Sequence, residues 1–402
     1  MRSYVRCRRS RGAELTASGG NTSRTVAVVA QVRSTTQATS ADVVTTLGQG
    51  TPAAQGTQSV GLGVPAGGWD ALHARHQHEL LGYCYRMLGS PFDAEEAVQE
   101  TWLRAWRGRG EFAGRASVRV WLFRIATNVC LDLLRQRPRR ERPVDVTAAG
   151  DPLSPRGAAE EERWLLPAPD RWLLPADPDP AHAAVLRESV RLAFVAALHR
   201  LPPTQRATLL ARDILRLSAQ ETAALLEVTV PAANGLLRRA RHSLAATAPT
   251  DAEGNSDGDG DGGPRRDELS ELSKRQRALL DRYITAFERH DIPALLALLH
   301  DDATLSMPPH ALWLAGRADI GRWFLRDPNP CLGSRALPIR ANGTPGLAIL
   351  HHDGQGPAGW RPFAVQLLTV REDRIAALDT FLDPRLVALL TSEAGAPDRL
   401  PW

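Results

Sequence analysis

Apolar residues recur at helical spacing through residues 71–107 and again through residues 118–137. The second stretch belongs to the segment VRVWLFRIATNVCLDLLRQRPRR at 118–140. On a helical wheel, five of its apolar side chains fall within about 60° of Leu122: Leu122, Ile125, Ala126, Val129 and Leu133. Such a stripe predicts a helix with one face in a core. The helix must end near Pro138, because proline lacks the N–H group that continues a helix.

A second face of this helix lies about 120° from the stripe and carries Trp121, Arg124, Asn128, Asp132 and Arg135. A tryptophan can stack on an unpaired base, which contributes about 1–3 kcal/mol per base, and asparagine and arginine can read base edges. An arginine tail suited to phosphate groups follows: Arg137, Arg139, Arg140 and Arg142. A solvated face with one packed tryptophan fits the same composition, so the pattern alone leaves both interpretations open.

A second helical block, at residues 187–247, contains a helix–turn–helix pattern. Ser218 and Glu221 have the spacing of a capping box, and Thr229 is placed to cap the following helix. That helix is basic, through Arg238, Arg239 and Arg241. A basic second helix is the pattern expected for entry into the major groove of DNA.

The predicted secondary structure changes at residues 273–392, where two predicted helices precede short runs with high β-propensity, such as FAVQLLTV at 363–370. This order predicts an α+β domain.

A Pro-rich segment at 141–186 and an acidic one at 248–272 separate the blocks, and both are predicted to be flexible linkers. The first repeats itself, with RWLLPAPD at 163–170 and RWLLPADPD at 171–179. The repeat is either an aromatic anchor, through Trp164 and Trp172, or a slipped duplication.

Composition and charge narrow the class of protein. The chain has 402 residues, enough for two or three domains. Its formal net charge is only +4, but residues 1–68 carry arginines and almost no acids, which predicts a disordered or wrongly included N-terminal extension. The four cysteines lie far apart and no apolar run approaches the roughly 18 residues of a membrane span. These features predict a cytoplasmic protein without a disulfide framework or a membrane partner.

The segment LLGYCYRMLGSPFDAEEAVQETWLRAWRG, followed by the helix at 118–140, resembles region 2 of the extracytoplasmic-function (ECF) group of bacterial sigma factors. The resemblance covers residues 76–140 and predicts a region 2 domain at 69–140. It implies that the first helix of the pair docks on the clamp of the largest subunit of RNA polymerase, through Asp93, Glu96, Gln99, Glu100 and Trp102. It also implies that the second helix captures the promoter −10 element as unpaired DNA, through Trp121, Arg124, Asn128, Asp132 and Arg135.

Residues 187–247 resemble region 4 of the same family, from RESVRLAFVAALHRLPPTQRATLLARDIL onward. The resemblance implies an all-α module that binds the polymerase flap and the promoter −35 element. The residues implied in −35 binding are Thr229, Ala232, Asn234, Arg238, Arg239 and Arg241. Two positions depart from the family pattern: Glu227 stands where a turn glycine is usual, and Gly235 lies inside the second helix.

Residues 273–392 resemble the SnoaL-like, nuclear-transport-factor-2-like fold, a cone-shaped sheet around a cavity. The resemblance implies a regulatory domain with a small-molecule or protein ligand, and the candidate pocket residues are Asp302, His310, Trp313 and Asp379. Catalysis is not expected, because an isomerase-like site needs a base and a strong hydrogen-bond donor, often tyrosine, and Tyr283 on the first helix is the only tyrosine in this block.

No cofactor or metal is expected either. The spacing of an EF-hand occurs between Asp257 and Glu268, but Pro264 interrupts it.

The whole pattern predicts a sigma factor that binds core RNA polymerase, recognises −10 and −35 elements and starts transcription at a subset of genes, with the C-terminal domain modulating its activity. The alternatives are a SnoaL-like enzyme fused to a DNA-binding module, or a conventional helix–turn–helix regulator.

Overall fold

The computed structural model describes residues 66–110, 112, 117–154, 157, 160–174, 189–246, 266–329, 331–352, 354 and 359–391. The predictions about the N-terminal extension, the acidic linker and the EF-hand spacing fall on residues that lie almost wholly outside these ranges. Among the described residues, no helix combines the length and the apolar composition needed to cross a membrane.

The first block is a three-helix unit of α1 (Ala66–Leu88), α2 (Pro91–Arg107) and α3 (Val118–Gln136), with a short 3₁₀ turn at Gly108–Gly110. Asp93, whose acidic side chain follows the turn Gly89-Ser90-Pro91, lies inside the first turn of α2 and does not cap it. Ser90 is the N-cap, and its hydroxyl accepts a hydrogen bond from the Asp93 N–H. The helix begins at Pro91 because proline is favoured in the first turn, where its missing N–H has no helical partner.

The segment at 141–174, predicted to belong to a flexible linker, is packed over its described residues. It contains two single-turn helices, α4 (Pro143–Val146) and α5 (Asp170–Leu173). Trp164 is completely buried and Trp172 is 7% exposed. Of the two interpretations of the repeat, the structure therefore favours the aromatic anchor, because burying two tryptophans removes a large apolar area from water.

The second block comprises α6 (Leu192–His199), α7 (Pro203–Leu209) with a π-helical continuation (Leu210–Ile214), α8 (Ala219–Leu226) and α9 (Val230–Ala246). Both reciprocal hydrogen bonds of the predicted capping box at Ser218 and Glu221 are present. Glu227 ends α8 in the left-handed conformation, with φ at 55°. This is the backbone geometry that explains why glycine is usual at such a position.

The third block has helices α10 (Arg266–Glu288), α11 (Ile292–Ala297), α12 (Arg317–Phe324) and α13 (Pro384–Thr391). Its strands are β1 (Leu299–Ser306), β2 (Trp313–Ala315), β3 (Arg335–Ala341), β4 (Thr344–His352), β5 (Trp360–Arg371) and β6 (Arg374–Phe381). They form one sheet in the order β2-β1-β6-β5-β4-β3, antiparallel except for the parallel pair of β1 and β6. The expected α+β architecture is confirmed.

The sheet is buried on both faces along β4. Leu347 and Ile349 belong to a core under α10 and α12, whereas Ala348 and Leu350 belong to a second core on the opposite face. That second core is continuous with side chains of α1, α3, the 141–174 segment and the region of α6–α9. The described parts of the three blocks consequently share one hydrophobic core.

Candidate nucleic-acid interface

A surface cleft of about 260 Å³ lies beside α3, where the end of α2 and the Gly108 turn meet the predicted −10 face. It is lined by Arg104, Gly108, Trp121, Arg124, Ile125 and Asn128. Three of these residues belong to the sequence prediction. Arg104 and Gly108 were not predicted, because they come from a different part of the chain. The cleft combines guanidinium and amide donors with an apolar wall, which suits a planar base with polar edges.

Trp121 differs from the expectation of an open stacking surface, since it is only 8% exposed. Its ring lies 5.1 Å from that of Phe112, and it packs in a small cluster with Ala105 and Leu122. It therefore forms the wall of the cleft and leaves the polar contacts to other side chains. Asn128 is exposed and Arg124 is half-buried, so both present donors at the cleft.

The remaining residues of the predicted −10 face are engaged with each other. Asp132 accepts a hydrogen bond from Arg135 at 2.6 Å and one from Arg104 at 3.4 Å. These ion pairs are exposed, and pairs of this kind contribute little to stability. Both arginines can exchange their carboxylate partner for a phosphate group at small cost.

The arginine tail after α3 is mostly not available for phosphate, contrary to the expectation. Arg140 is 7% exposed and donates two hydrogen bonds to Asp93, at 2.8 and 3.2 Å. Arg137 pairs with Asp93 at 2.5 Å and with Glu96 at 2.7 Å, and Arg142 pairs with Asp145 at 2.8 Å. The tail ties α3 to α2 and to the following segment. Sequence reasoning counted the positive charges but could not see their acidic partners.

The same contacts divide the predicted polymerase residues into two groups. Asp93 is 8% exposed and is held by Arg137 and Arg140, so its position is structural. Glu96 and Gln99 are exposed and Glu100 is half-buried, on the outer face of α2. Trp102 is turned towards α1, where its indole N–H donates to Gln77 at 2.8 Å.

Two residues on α2 were missed by the sequence prediction. Leu103 is 50% exposed and Trp106 is 48% exposed. They follow Glu96 and Gln99 at helical spacing, so they share the outer face of α2 with these polar residues. Large exposed apolar side chains with a polar rim mark interaction surfaces. Their spacing relative to Glu96 was the available sequence signal.

The predicted −35 residues lie at the start and along the exposed side of α9. Thr229, Ala232, Asn234, Arg238 and Arg239 are exposed. The Thr229 hydroxyl accepts a hydrogen bond from the Ala232 N–H at 3.3 Å, as expected for a cap. Arg241 differs, because it is turned inward and pairs with Asp213 at 2.6 Å.

One cavity among the described residues of the third block lies between its sheet and α12, and it is not lined by the four predicted pocket residues. Its free volume is about 10 Å³, room for about one water molecule. The lining residues are Leu305, Met307, Trp323, Phe324, Cys331, Ile349, Phe363, Gln366, Thr380 and Leu382. Polar groups are few: Gln366 accepts a hydrogen bond from Tyr283 at 2.7 Å and donates one to Thr380 at 2.7 Å. The lining contains no carboxylate or histidine, so it offers no acid–base pair.

The predicted pocket residues face other surroundings. Trp313 donates its indole N–H to the Thr147 carbonyl at 2.8 Å, and a ring nitrogen of His310 lies 2.7 Å from the Gly157 carbonyl. Both therefore hold the 141–174 segment. Strand alternation explains the misplacement of Asp379, because its neighbour Thr380 points into the cavity and Asp379 points to the opposite face.

The pKa values of the two carboxylates in this set, Asp379 and Asp302, are shifted in opposite directions. Burial raises the pKa of Asp379, although the Ser306 hydroxyl donates a hydrogen bond to it at 2.7 Å. The Arg371 guanidinium, 2.6 Å from Asp302, lowers the pKa of that carboxyl with a smaller contribution from His300. Asp302 is thus an ionised surface carboxylate with its charge already balanced.

Comparison with protein families assigns a class to each block. Residues 72–140 match the model of Sigma-70 region 2, residues 191–244 match that of Sigma-70 region 4, and residues 280–378 match that of the SnoaL-like domain. The cleft therefore lies in a sigma region 2, and α9 is the second helix of the helix–turn–helix in a sigma region 4. The expected fold class is confirmed.

The chain is also similar to curated proteins over most of its length. The chain is 40% identical over 328 residues to the ECF RNA polymerase sigma factor SigG of Mycobacterium tuberculosis, covering 81% of this chain and 83% of that protein. It is 28% identical to SigJ of the same species, over 77% of this chain and 90% of that one. The crystal structure of SigJ matches with a TM-score of 0.47 and 21% identity, over 79% of this chain and 97% of that chain. The chain belongs to the ECF RNA polymerase sigma factors.

Proposed function

We propose that this protein binds core RNA polymerase, recognises promoter −10 and −35 elements and initiates transcription at a subset of genes, while its SnoaL-like domain modulates that activity without catalysing a reaction. The observation that carries the proposal is the cleft beside α3 in sigma region 2. An amide, two guanidinium groups and an aromatic wall meet there around a space of about 260 Å³.

The chemistry of the cleft favours a base removed from its stack over a base within a duplex. A paired base presents only its groove edges, whereas an extruded base can be enclosed on several sides and read on its Watson–Crick edge. In the proposed complex, Trp121 supplies the apolar wall, Asn128 and Arg124 read the base, and Arg104 and Arg135 contact neighbouring phosphates.

The outer face of α2 supplies the proposed contact with polymerase. Leu103 and Trp106 provide exposed apolar anchors, and Glu96, Gln99 and Glu100 provide a polar rim. Interfaces commonly concentrate their binding energy in a few aromatic and apolar residues surrounded by polar ones. Asp93 and Trp102 support this face by fixing α2 against α1 and α3.

The proposed −35 contact is made by the exposed side of α9, with Asn234, Arg238 and Arg239 as the main candidates and Thr229 and Ala232 at the start of the helix. Arg241 is assigned a structural role instead, because its pair with Asp213 fixes α9 against the π-helical turn.

The apolar cavity of the third block, without an acid–base pair, argues against the alternative of a SnoaL-like enzyme.

The test is transcription in vitro with purified core polymerase, with fragmented genomic DNA as template so that no promoter has to be assumed. We expect transcripts with defined start sites only when the protein is added. The double variant Arg124→Ala, Asn128→Ala should lose these transcripts while still binding core polymerase in a pull-down. Binding to duplex DNA without any polymerase-dependent transcription would favour the conventional helix–turn–helix regulator.

A further inference from the structure

The cavity between the sheet of the third block and α12 adjoins three buried polar atoms that have no hydrogen-bond partner among the described residues. They are the indole nitrogen of Trp323, the hydroxyl oxygen of Ser334 and Nε2 of His351. Trp323 is 3% exposed and Ser334 is 4% exposed. Buried polar groups are almost always hydrogen-bonded, so three unsatisfied atoms around one cavity point to a missing partner.

Each of the three atoms is connected to the wall of the cavity. Trp323 itself lines the cavity. The ring of His351 stacks on the ring of Phe363, a lining residue, with the ring centroids 3.6 Å apart. The Ser334 N–H donates a hydrogen bond at 3.2 Å to the carbonyl of Cys331, which also lines the cavity. The three side chains therefore border the same space.

The strand register also makes Ser334 and His351 neighbours. Ala336 of β3 pairs with Ile349 of β4, and both belong to the core on the cavity side of the sheet. Positions two residues along a strand return to the same face, so positions 334 and 351 meet on the cavity side. Burial lowers the pKa of His351, so its ring is neutral at neutral pH, and Nε2 donates or accepts according to the tautomer.

The polar chemistry of this site is that of a hydrogen-bond donor. The lining side chains of Gln366 and Thr380 are already bonded to each other at 2.7 Å. An indole N–H can only donate, and the guanidinium carbon of Arg326 lies 4.5 Å from the centre of the Trp323 ring. None of the described lining residues is acidic. The site therefore favours a negatively charged group with acceptor oxygens.

The rest of the site is apolar and continues towards the surface. Leu325 and Leu332 directly follow the lining residues Phe324 and Cys331, and they are 68% and 66% exposed. The free volume inside is only about 10 Å³, so the body of a ligand has to displace wall side chains or lie partly against these leucines. Met307 in the wall is unbranched and adapts easily to a new neighbour.

We propose that this part of the SnoaL-like domain is a binding site for a small apolar carboxylate. The carboxylate accepts hydrogen bonds from the Trp323 indole and the Ser334 hydroxyl, with His351 as a third donor in its Nε2–H tautomer. The hydrocarbon body lies against Met307 and the exposed leucines. Hydrogen bonds to an ionised acceptor are stronger than neutral ones, so the head group sets the specificity. The site lies within the third block and does not depend on the proposed role in transcription.

The experiment follows the indole N–H resonances of the full chain by nuclear magnetic resonance, with isotopically labelled tryptophan. The chain has ten tryptophans, and the resonance that disappears in Trp323→Phe is that of Trp323. The probes are hexanoate, hexan-1-ol and hexylamine, which share a hydrocarbon body and differ in the head group. The control variant is Trp360→Phe, the same substitution at a residue that packs against the core on the opposite face of the sheet.

We expect hexanoate to shift the Trp323 resonance more than any other indole resonance, hexan-1-ol to shift it less and hexylamine to leave it in place. In isothermal titration calorimetry, W323F should bind hexanoate at least tenfold more weakly, the effect of losing a hydrogen bond to a charged group. W360F should bind hexanoate as the parent does.

Three outcomes would overturn the site: a Trp323 resonance that hexanoate does not move, an equal response to hexylamine, or equal affinities of W323F and the parent for hexanoate. If W323F does not fold, Ser334→Ala removes a single hydroxyl group and is titrated with hexanoate in the same calorimeter. An affinity of S334A equal to that of the parent would then count against the proposal, and a weaker affinity would support it.

Discussion

Individual residues in this protein carry roles that their type alone does not reveal. Asp93 and Arg140 both belong to sequence patterns typical of binding surfaces, yet they form a pair that is 8% and 7% exposed. Their partnership depends on two helices meeting across 47 residues of chain. The capping residues Ser218 and Glu221, in contrast, act on their own helix, and for that reason their hydrogen bonds could be predicted from spacing.

Gly235 lies in the interior of helix α9, where a glycine lowers the stability of the helix. A Cβ atom added there meets only the end of the flexible Arg239 side chain, at 3.5 Å. We expect Gly235→Ala to raise the free energy of unfolding by about 1 kcal/mol, because glycine in a helix interior has more conformational entropy to lose. The measurement is a urea titration followed by far-ultraviolet circular dichroism.

The matched control is Gly346→Ala in β4, where the added Cβ would overlap the Gln366 carbonyl oxygen on the neighbouring strand. This substitution should destabilise the protein, since the neighbouring strand has to move. A stabilising effect at both positions, or at neither, would contradict the account of Gly235.

At the scale of elements, the helical wheel of α3 predicted the buried stripe well. Leu122, Ala126 and Val129 are at most 3% exposed. It failed for Trp121, which is covered by Phe112 from outside the helix. The sequence of strand β4 already indicated that both of its faces are buried. In the run GLAIL at 346–350, apolar residues do not alternate with polar ones. An antiparallel strand with one wet face would alternate, so the run indicated that something packs on both faces.

The outer face of α2 yields a prediction about polymerase binding. Trp106→Ala should weaken binding to core polymerase at least tenfold, because exposed aromatic residues are the commonest anchors of an interface. The fold should be unaffected, since the side chain is 48% exposed. Leu325→Ala, at a comparably exposed apolar residue of the third block, is the control. Equal affinities of both variants and the parent in fluorescence anisotropy would remove α2 from the interface.

At the scale of the whole molecule, the 141–174 segment decides how the parts behave together. Trp164 is completely buried, and its indole N–H donates to the Pro309 carbonyl at 2.8 Å. Arg86 of α1 donates to the Leu173 carbonyl at 3.3 Å. The segment thus adheres to both the sigma regions and the SnoaL-like domain, and a single core extends through all three.

We therefore expect the full chain to unfold in one calorimetric transition and Trp164→Ala to divide it into two. The substitution should lower the stability of the junction by about 3–5 kcal/mol, as is usual when a buried tryptophan is truncated. Leu153→Ala, in the same segment but at a residue that is 66% exposed, should leave the single transition intact. A single transition in W164A at an unchanged temperature would show that the segment does not couple the domains.

The resemblance to the ECF sigma factors indicated the class of this protein. Local patterns determined its helices, the capping box at Ser218, the buried stripe of α3 and the division into two helical blocks and an α+β block. They could do so because helical periodicity and capping depend on residues within about one or two turns of each other. Tertiary structure alone decided which arginines are paired, that the four predicted pocket residues lie outside the cavity, and that the Asn342 side chain of the third block is hydrogen-bonded to Tyr85 and Ala168. These outcomes depend on contacts between residues up to 257 positions apart, whose energies arise only when the chain has folded.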